Sequence, residues 1–324
     1  MKVFITGGAG FLGTNLIARL VDEHEIVVLD TLQRNALKYA PWYWHSHLTV
    51  VQGDVCDPEV VERCARGADV IFHMAAIAGV SVVVNNPATT LRTNLVGTMN
   101  VLEAARKNPA LKRLIDFSTS EVYGPNVFRA REDGMTTVGS VYQPRWYYAV
   151  SKLASEFLCH AYHTEHGMPT VGIRPFNVYG PHQVGEGCVK NFVEAALKGE
   201  PLYVHGDGDQ VRSWCYVDDM TRSLLKAMKE EGAIGRHINV GNPRATTSTL
   251  ELAHTVLRLT GSESEVVFKK IGYPDVEVRV PDVSEMQQNL GVTAEVGLEE
   301  GLKRTIDWWK SSGDSSVYHQ YGEL

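Results

Sequence analysis

Apolar residues recur along this chain with two periods, and the periods alternate. Short runs rich in Val, Ile, Leu and Phe occupy 2–6, 25–30, 48–52, 69–73, 112–118 and 170–174. Between them, apolar positions three and four apart fit helices over 11–21, 57–66, 88–107 and 146–166. Such alternation predicts an α/β fold, a doubly wound parallel sheet covered by helices on both faces. Ligands of such sheets lie beyond the carboxyl ends of the strands. From about residue 175 Gly and Pro become frequent, and helices are expected near 187–198, 218–230, 248–260 and 298–310. This stretch reads as a smaller C-terminal α/β lobe, 176–310, closing over a substrate held on a first domain, 1–175. Runs near 214–217 and 237–240 are candidates to rejoin the first sheet, and 311–324 reads as a frayed polar tail.

Composition narrows the partners. With 324 residues, 44% of them apolar, the chain is long enough for two lobes around a cleft. A net charge of −7 and the lack of a lysine run argue against nucleic acid. A phosphate ligand therefore needs a local positive site. Met1 leads directly into Val3-Phe4-Ile5, so no signal peptide is expected, and no apolar stretch is long enough for a membrane span. Five scattered cysteines without a C-x-x-C pair suit free thiols in a reducing cytoplasm. His160, His163 and His166 lack the acidic or Cys company of a metal site, and no metal is expected.

The candidate cofactor site follows the first strand. Gly7, Gly10 and Gly13 have the spacing G-x-x-G-x-x-G and, with Phe11 and Leu12, open the first helix. Glycines there allow a tight turn and close approach of backbone to a pyrophosphate at a helix N-terminus. Asp30 ends the second strand, where a carboxylate can hold both ribose hydroxyls of NAD and would repel a 2′-phosphate. Nearby Arg34 keeps NADP open. Asp54, beside Val55, is a candidate for the adenine amine; its alternative is a loop or helix-capping acid before Pro58. Ala75 lies in the small run His73-Met74-Ala75-Ala76 that ends the fourth strand and lets the cofactor pass closely.

The reacting residues are expected in Trp146-Tyr147-Tyr148-Ala149-Val150-Ser151-Lys152. Tyr148 and Lys152, four apart, share a helix face. An ammonium there would favour phenolate and lower the Tyr pKa from its free value of about 10. A phenol so tuned can take the proton of a sugar hydroxyl while the same carbon is oxidised.

These features resemble the extended short-chain dehydrogenase/reductases of the nucleotide-sugar branch, from Met1 to about Lys310. The supporting residues are Gly7/Gly10/Gly13, Asp30, Asp54, Ser118-Thr119-Ser120-Glu121-Val122-Tyr123-Gly124, Tyr148/Lys152, Arg174 to Pro181, and Gly206 to Arg212. Pro144 to Lys152 and Gly272-Tyr273-Pro274-Asp275 through Pro281 look most like the UDP-glucuronate decarboxylases. The resemblance implies a Rossmann-type fold, NAD, a nucleotide-sugar substrate and a homodimer formed through the helices 88–107 and 146–166. It also implies a catalytic set of Thr119, Ser120, Glu121, Tyr148, Lys152 and Arg212. Asn177 is implied at the diphosphate. Leu202-Tyr203-Val204, ahead of a Gly-rich turn, is a candidate for presenting backbone groups at Tyr203 to the base, and Arg279 for binding the diphosphate or ribose. Each also has a bland alternative: a solvated helix lysine for Lys152, a capping acid for Glu121, an ion pair for Arg212, a turn for Asn177, an exposed strand charge for Arg279.

The implied chemistry begins with oxidation at C4 of a hexuronate by Tyr148, Thr119 and NAD. Decarboxylation of the β-keto acid follows, and a proton returns to C5 through Glu121, directly or through water. Arg212 would bind the carboxylate or the enolate side of the ring. Rival readings remain open. A 4,6-dehydratase needs a proton donor for the C6 hydroxyl, and Ser120 is a poor acid. A 4-epimerase would leave Glu121 idle, yet Ala78-Gly79-Val80 resembles the uronate 4-epimerases. Val83 and Val84 stand where the decarboxylases usually have a Tyr before Asn-Pro. A non-catalytic NAD sensor would need the glycine turn but not the phenol.

Overall fold

The computed structural model describes residues 1–270, 272 and 275–312. Seven described strands form one parallel sheet: Lys2–Thr6, Glu25–Asp30, Leu48–Gln52, Val70–His73, Arg113–Phe117, Thr170–Pro175 and His237–Val240. Numbered along the chain as given, they lie side by side in the order 3-2-1-4-5-6-7. The order reverses between the first and fourth strands, which are paired from Val3↔Val70 to Thr6↔His73. A crevice at the carboxyl ends of that pair is where such sheets bind ligands.

Side-chain alternation explains the double winding. Val3 and Ile5 enter one apolar layer and Phe4 the other; Phe72 and Ile71 divide likewise, as do Ile115 and Leu114. Every core strand is apolar on both faces, so each face must be covered. Helices Phe11–Leu20 and Val217–Ala227 cover the first. Helices Pro58–Ala65, Pro87–Arg106 and Tyr147–His166 cover the second.

The expected strands and helices of the first half appear within a residue or two of the sequence reading, and so do three of the four later helices; the helix expected over 218–230 is Val217–Ala227, three residues shorter at its end. Of the two runs proposed to rejoin the sheet, His237–Val240 does so, pairing with Thr170–Pro175. Cys215–Tyr216 pairs instead with Val178–Tyr179 in a separate ribbon. Asn126–Ala130, unforeseen, joins Val278–Pro281, Val211–Ser213 and Thr246–Ser248 in a second small sheet. A segment from the first half thereby reaches across to carry residues of the second. Leu202–His205 pairs with Val266–Lys269. No described helix is long and apolar enough to cross a membrane. The expected tail beyond Ser312, and Tyr273 and Pro274 of the decarboxylase-like stretch, lie outside the described residues.

Candidate active site

The cofactor cradle is built by removing side chains. Gly7 has φ +69°, and a Cβ on it would lie 2.7 Å from the backbone nitrogen of Ala75. A Cβ on Gly13 would lie 2.5 Å from the Gly8 backbone. At Gly10 only the Gly7 carbonyl would be near, at 3.4 Å. Helix Phe11–Leu20 starts without a side-chain cap and with no acid in its first turn. Its first N–H groups are thus available to an anion. Asp30 accepts from the backbone N–H groups of Ala9 (3.0 Å) and Leu32 (2.8 Å), which leaves each oxygen further acceptor capacity. Burial raises its pKa while those two bonds lower it. Arg34 donates to the Ala78 carbonyl (3.1 Å) and lies against Gly185, which gives it a structural occupation in place of a 2′-phosphate. The donors, the acceptor and the open space fit NAD.

Of the two acids ahead of helix Pro58–Ala65, it is Asp57 and not Asp54 that takes the capping role the sequence left open. Asp57 is the cap, accepting from Glu59 (3.0 Å) and Val60 (3.3 Å). Asp54 is exposed, accepts the turn bond from Cys56 N–H at 2.8 Å and meets the Cys56 thiol. Val55 is buried against Gly97, its carbonyl held by the Asn100 amide. Beneath Ala75, Thr6 Oγ1 accepts from the Ala75 N–H (3.2 Å) and meets His73 Nδ1 at 2.8 Å. His73 Nε2 meets Thr98 at 3.1 Å. Burial first, then the Lys152 charge, holds His73 neutral, its pKa pushed down to about 3.

Thr119 caps a short turn, Ser120–Tyr123, by accepting from Glu121 N–H at 3.2 Å. Its hydroxyl hydrogen remains for another acceptor. Tyr148 opens helix Tyr147–His166, and Thr119 lies beside its phenol and lowers the pKa. Burial, then the charges of Glu121 and Asp116, push the phenol pKa the other way, and they win. The expected pull of Lys152 on the phenol is absent here. Lys152 is 1% exposed, and Asp116, Cys159 and Glu156 beneath the helix interact with its charge. An ammonium buried toward the sheet acts on acids there, not along the helix surface.

Ser120 is buried in the same turn. Glu121 is locked: Arg145 Nη1 donates to its Oε2 at 2.8 Å, and Arg279 Nη1 stands 3.7 Å from Oε1. Burial raises its pKa, but Arg145, Arg279 and Arg212 outweigh that and hold it below the usual range. Glu121 is therefore a carboxylate and not a stored proton, which favours the route through water for any proton it directs. Arg279 is 3% exposed and also donates to the Gly124 carbonyl (3.1 Å). It is no exposed strand charge; burial, partly offset by Glu121, pulls its pKa down to about 10. Arg212 holds the carbonyls of Val276 and Val211 and pairs with Asp275 at 3.5 Å. Arg145, the cation nearest Glu121, was not singled out in the sequence; its signal was its place in Pro144-Arg145-Trp146, ahead of Tyr148.

The nucleotide candidates are more dispersed. Asn177, at φ +38°, spends one amide hydrogen on the Ser213 carbonyl (2.9 Å), a turn role that leaves the other hydrogen. Tyr203 is 46% exposed with Lys269 Nζ 3.3 Å from its ring centroid, so one ring face is taken. No cluster that could hold a metal occurs among the described residues.

A doubly wound sheet with a glycine cradle at its switch point, and a Thr-Tyr-Lys set beside it, defines an NAD-binding sugar-oxidising class of fold. The chain belongs to the NAD dependent epimerase/dehydratase family, whose model matches residues 3–241. A UDP-N-acetyl-alpha-D-glucosaminuronate decarboxylase of Bacillus cytotoxicus is 35% identical over 323 residues, covering 95% of this chain and 98% of that protein. A UDP-glucuronic acid decarboxylase of Arabidopsis thaliana is 37% identical over 310 residues, covering 93% and 87%. The structure of a UDP-glucuronic acid 4-epimerase from Bacillus cereus, solved with UDP-glucuronic acid and NAD, matches with TM-score 0.87 at 28% identity, covering 96% of this chain and 99% of that one.

Proposed function

We propose that this protein is an NAD-dependent nucleotide-sugar decarboxylase acting on an NDP-hexuronate, UDP-glucuronate in the first instance, to give a UDP-pentose or UDP-4-keto-pentose. One observation carries the reading. Glu121 is ionised and held among Arg145, Arg279 and Arg212, two residues from Thr119 and within electrostatic reach of Tyr148. Three guanidinium groups against Glu121 and Asp275 leave a positive excess suited to an anionic sugar, in a protein whose net charge is −7.

When bound in the glycine cradle, NAD supplies the oxidant for C4. Tyr148, once ionised in the reacting complex, takes the proton of the C4 hydroxyl on its phenolate Oη, and the Thr119 hydroxyl holds the same oxygen. The C5 carboxylate is then β to a ketone; its C–C bond breaks, carbon dioxide leaves and the electron pair enters an enolate. Tyr148, now protonated, and Thr119 donate to the enolate oxygen, where charge develops. A water held by the Glu121 carboxylate relays a proton from solvent to C5, giving up one hydrogen as it takes another. The arginines admit and orient the acid group, and Asn177 and Tyr203 are assigned to the nucleotide end. Residues 1–175 serve the cofactor and 176–310 the nucleotide sugar.

Incubation with NAD and UDP-glucuronate, with UDP-N-acetylglucosaminuronate as a second arm, tests the reading by carbon dioxide release. Formation of UDP-galacturonate without gas selects the epimerase, which Ala78-Gly79-Val80 and the Bacillus cereus structure favour. Action on a hexose with a free C6 hydroxyl selects the dehydratase; bound NAD with no product selects a sensor. The five free cysteines support a reducing, cytoplasmic setting, and the exposed Met99, Val150 and Phe157 on helices Pro87–Arg106 and Tyr147–His166 support a homodimer through those helices. Sedimentation of the parent as a monomer would remove that assignment.

A further inference from the structure

Asp116 has no part in the chemistry above. It stands near the end of strand Arg113–Phe117, in register with His73 on one neighbour and Gly172 on the other. None of its surface is exposed, and its carboxylate has no hydrogen-bonding partner beyond the Cys159 thiol. A carboxylate in that state is costly unless another charge compensates it. Alternation along the strand places Asp116 on the face of Leu114, opposite to Ile115 and Phe117. That face is covered by helix Tyr147–His166, and Lys152, Glu156 and Cys159 follow one another down the covering side at helical spacing.

The other ionisable groups of this layer have partners. Arg174, on the neighbouring strand, closes a two-bond pair with Glu156, at 2.8 and 2.6 Å, with which His237 also interacts. His73 is neutral and held between Thr6 and Thr98. The Cys159 thiol is pushed well up by burial and by Asp116, so it adds no charge. Tyr148 lies at the top of the layer as a phenol. Among the described residues neither Lys152 nor Asp116 closes an ion pair with a third group. No direct ion pair closes between them, so the attraction acts through space.

We propose that Asp116 is a positioning residue for the reaction: a buried counter-charge that keeps Lys152 ionised and drawn beneath the helix that carries Tyr148. The proposal rests on the reading of Tyr148 and Lys152 as the acid–base pair. Burial pulls the Lys152 pKa down, and Asp116 is the largest influence opposing it. Reciprocally, burial pushes Asp116 up to about 6, and Lys152 is the first group opposing that. Without the carboxylate, Lys152 would shed its proton in the range where the enzyme works, and the attraction that draws it beneath the helix of Tyr148 would go with it.

The test reads Lys152 directly. In protein carrying 15N-labelled lysine, the Lys152 Nζ signal is assigned by its loss in Lys152→Met and titrated in the parent, Asp116→Asn and Asp116→Glu. Its midpoint is expected to fall by about 1–3 pH units in Asp116→Asn and to return toward the parent in Asp116→Glu. The alkaline limb of kcat/KM should move with it, while thermal unfolding of Asp116→Asn occurs at or above the parent temperature. A merely structural Asp116 would move stability and leave both titrations in place, and an unchanged Lys152 midpoint overturns the proposal. Should Asp116→Asn not fold, Lys152→Met offers the converse: the Asp116 carboxyl, followed by 13C, must titrate at higher pH than in the parent, and an unmoved carboxyl again overturns it. The lysine titration needs no substrate. A parent that turns over no nucleotide sugar therefore sinks the decarboxylase reading separately from the counter-charge.

Discussion

The cofactor cradle follows strands of the large sheet and the arginine–glutamate cluster is gathered partly from the small one, and the two are built on opposite principles. The cradle works by absence. Gly7 and Gly13 bring backbone against backbone, at Ala75 and Gly8, where a single Cβ would collide at 2.5 to 2.7 Å. The pocket works by excess. Glu121, Arg145, Arg212 and Arg279 come from four segments and are largely buried. Sterics govern the first region, so a wrong residue acts through shape. Charge balance governs the second, so a wrong residue acts through its neighbours' protonation and through whichever anion can enter.

Tyr148→Phe should produce the largest loss, because the phenol carries the proton in both halves of the reaction. Turnover should fall by about 10²–10⁴-fold, the range for a lost general acid–base. NAD binding, measured by titration of protein fluorescence, should be unchanged, since the cradle is built elsewhere. A variant that still releases carbon dioxide at the parent rate removes Tyr148 from the site.

Glu121→Gln tests the pocket alone. Three guanidinium groups then face a neutral amide, so an anionic sugar should bind no more weakly than in the parent. Yet kcat should drop by about 10²-fold, because the water that delivers the C5 proton loses its carboxylate. A rise in KM with kcat untouched would make Glu121 a binding group instead. The cradle counterpart is Gly13→Ala. Forcing a methyl onto the Gly8 backbone should cost about 1–3 kcal/mol in denaturant unfolding. It should weaken NAD and leave the pH dependence of turnover in bound enzyme as it was.

The contrast also explains what the sequence disclosed. The cradle was legible because it is local. Gly7 to Gly13, Asp30, Asp54 and Ala75 fall at successive strand ends, where a turn motif and a strand boundary are read together. The sheet was legible for the same reason, since its strands are short apolar runs with helices between them. The pocket was legible residue by residue but not as an assembly. Nothing in the spacing of Glu121 and Arg145 states that they form a 2.8 Å pair. Nothing placed Asn126–Ala130 beside Val278–Pro281, which is what brings Arg279 to Gly124 and Glu121. Lys152 shows the limit of a correct helical spacing. It is four residues from Tyr148, yet its charge is spent on the layer below, on which Asp116 had no motif to advertise it.

His73 underlies the cradle and gives a smaller effect with a definite sign. Its folded pKa, about 3, is below the free value of 6.5. The stability it contributes is complete above pH 6.5 and is lost as pH falls from there toward 3. Asp116 and Glu132 act oppositely, because their folded values are raised to about 6 and about 7. Their contribution is complete below the free carboxylate range and is lost as pH rises through those values. His73→Gln keeps an acceptor for Thr6 and a donor for Thr98 but has no proton to gain. The difference in unfolding free energy between parent and variant should therefore change by about 1.4 kcal/mol per pH unit between pH 6 and 4, with the parent losing more. A pH-independent difference would mean that His73 is charged in the folded protein.

The two acids before Pro58 give the smallest effect and the cleanest division between structure and binding. Asp57 holds two orphan N–H groups of helix Pro58–Ala65. Asp57→Ala should cost about 1 kcal/mol of stability, the usual worth of such a cap, and leave NAD affinity alone. Asp54 bonds Cys56, through its N–H and its thiol, and is exposed past the carboxyl end of the third strand. Asp54→Ala should do the reverse: stability within experimental error of the parent, and weaker NAD through loss of its acceptor for the adenine amine. Both quantities can be read from one pair of thermal melts, with and without NAD. The Asp57 variant should shift both melts equally, and the Asp54 variant should lose part of the rise that NAD produces. If Asp54→Ala instead lowers both melts together, the acid belongs to the fold, and the third strand contributes no side chain to the cradle.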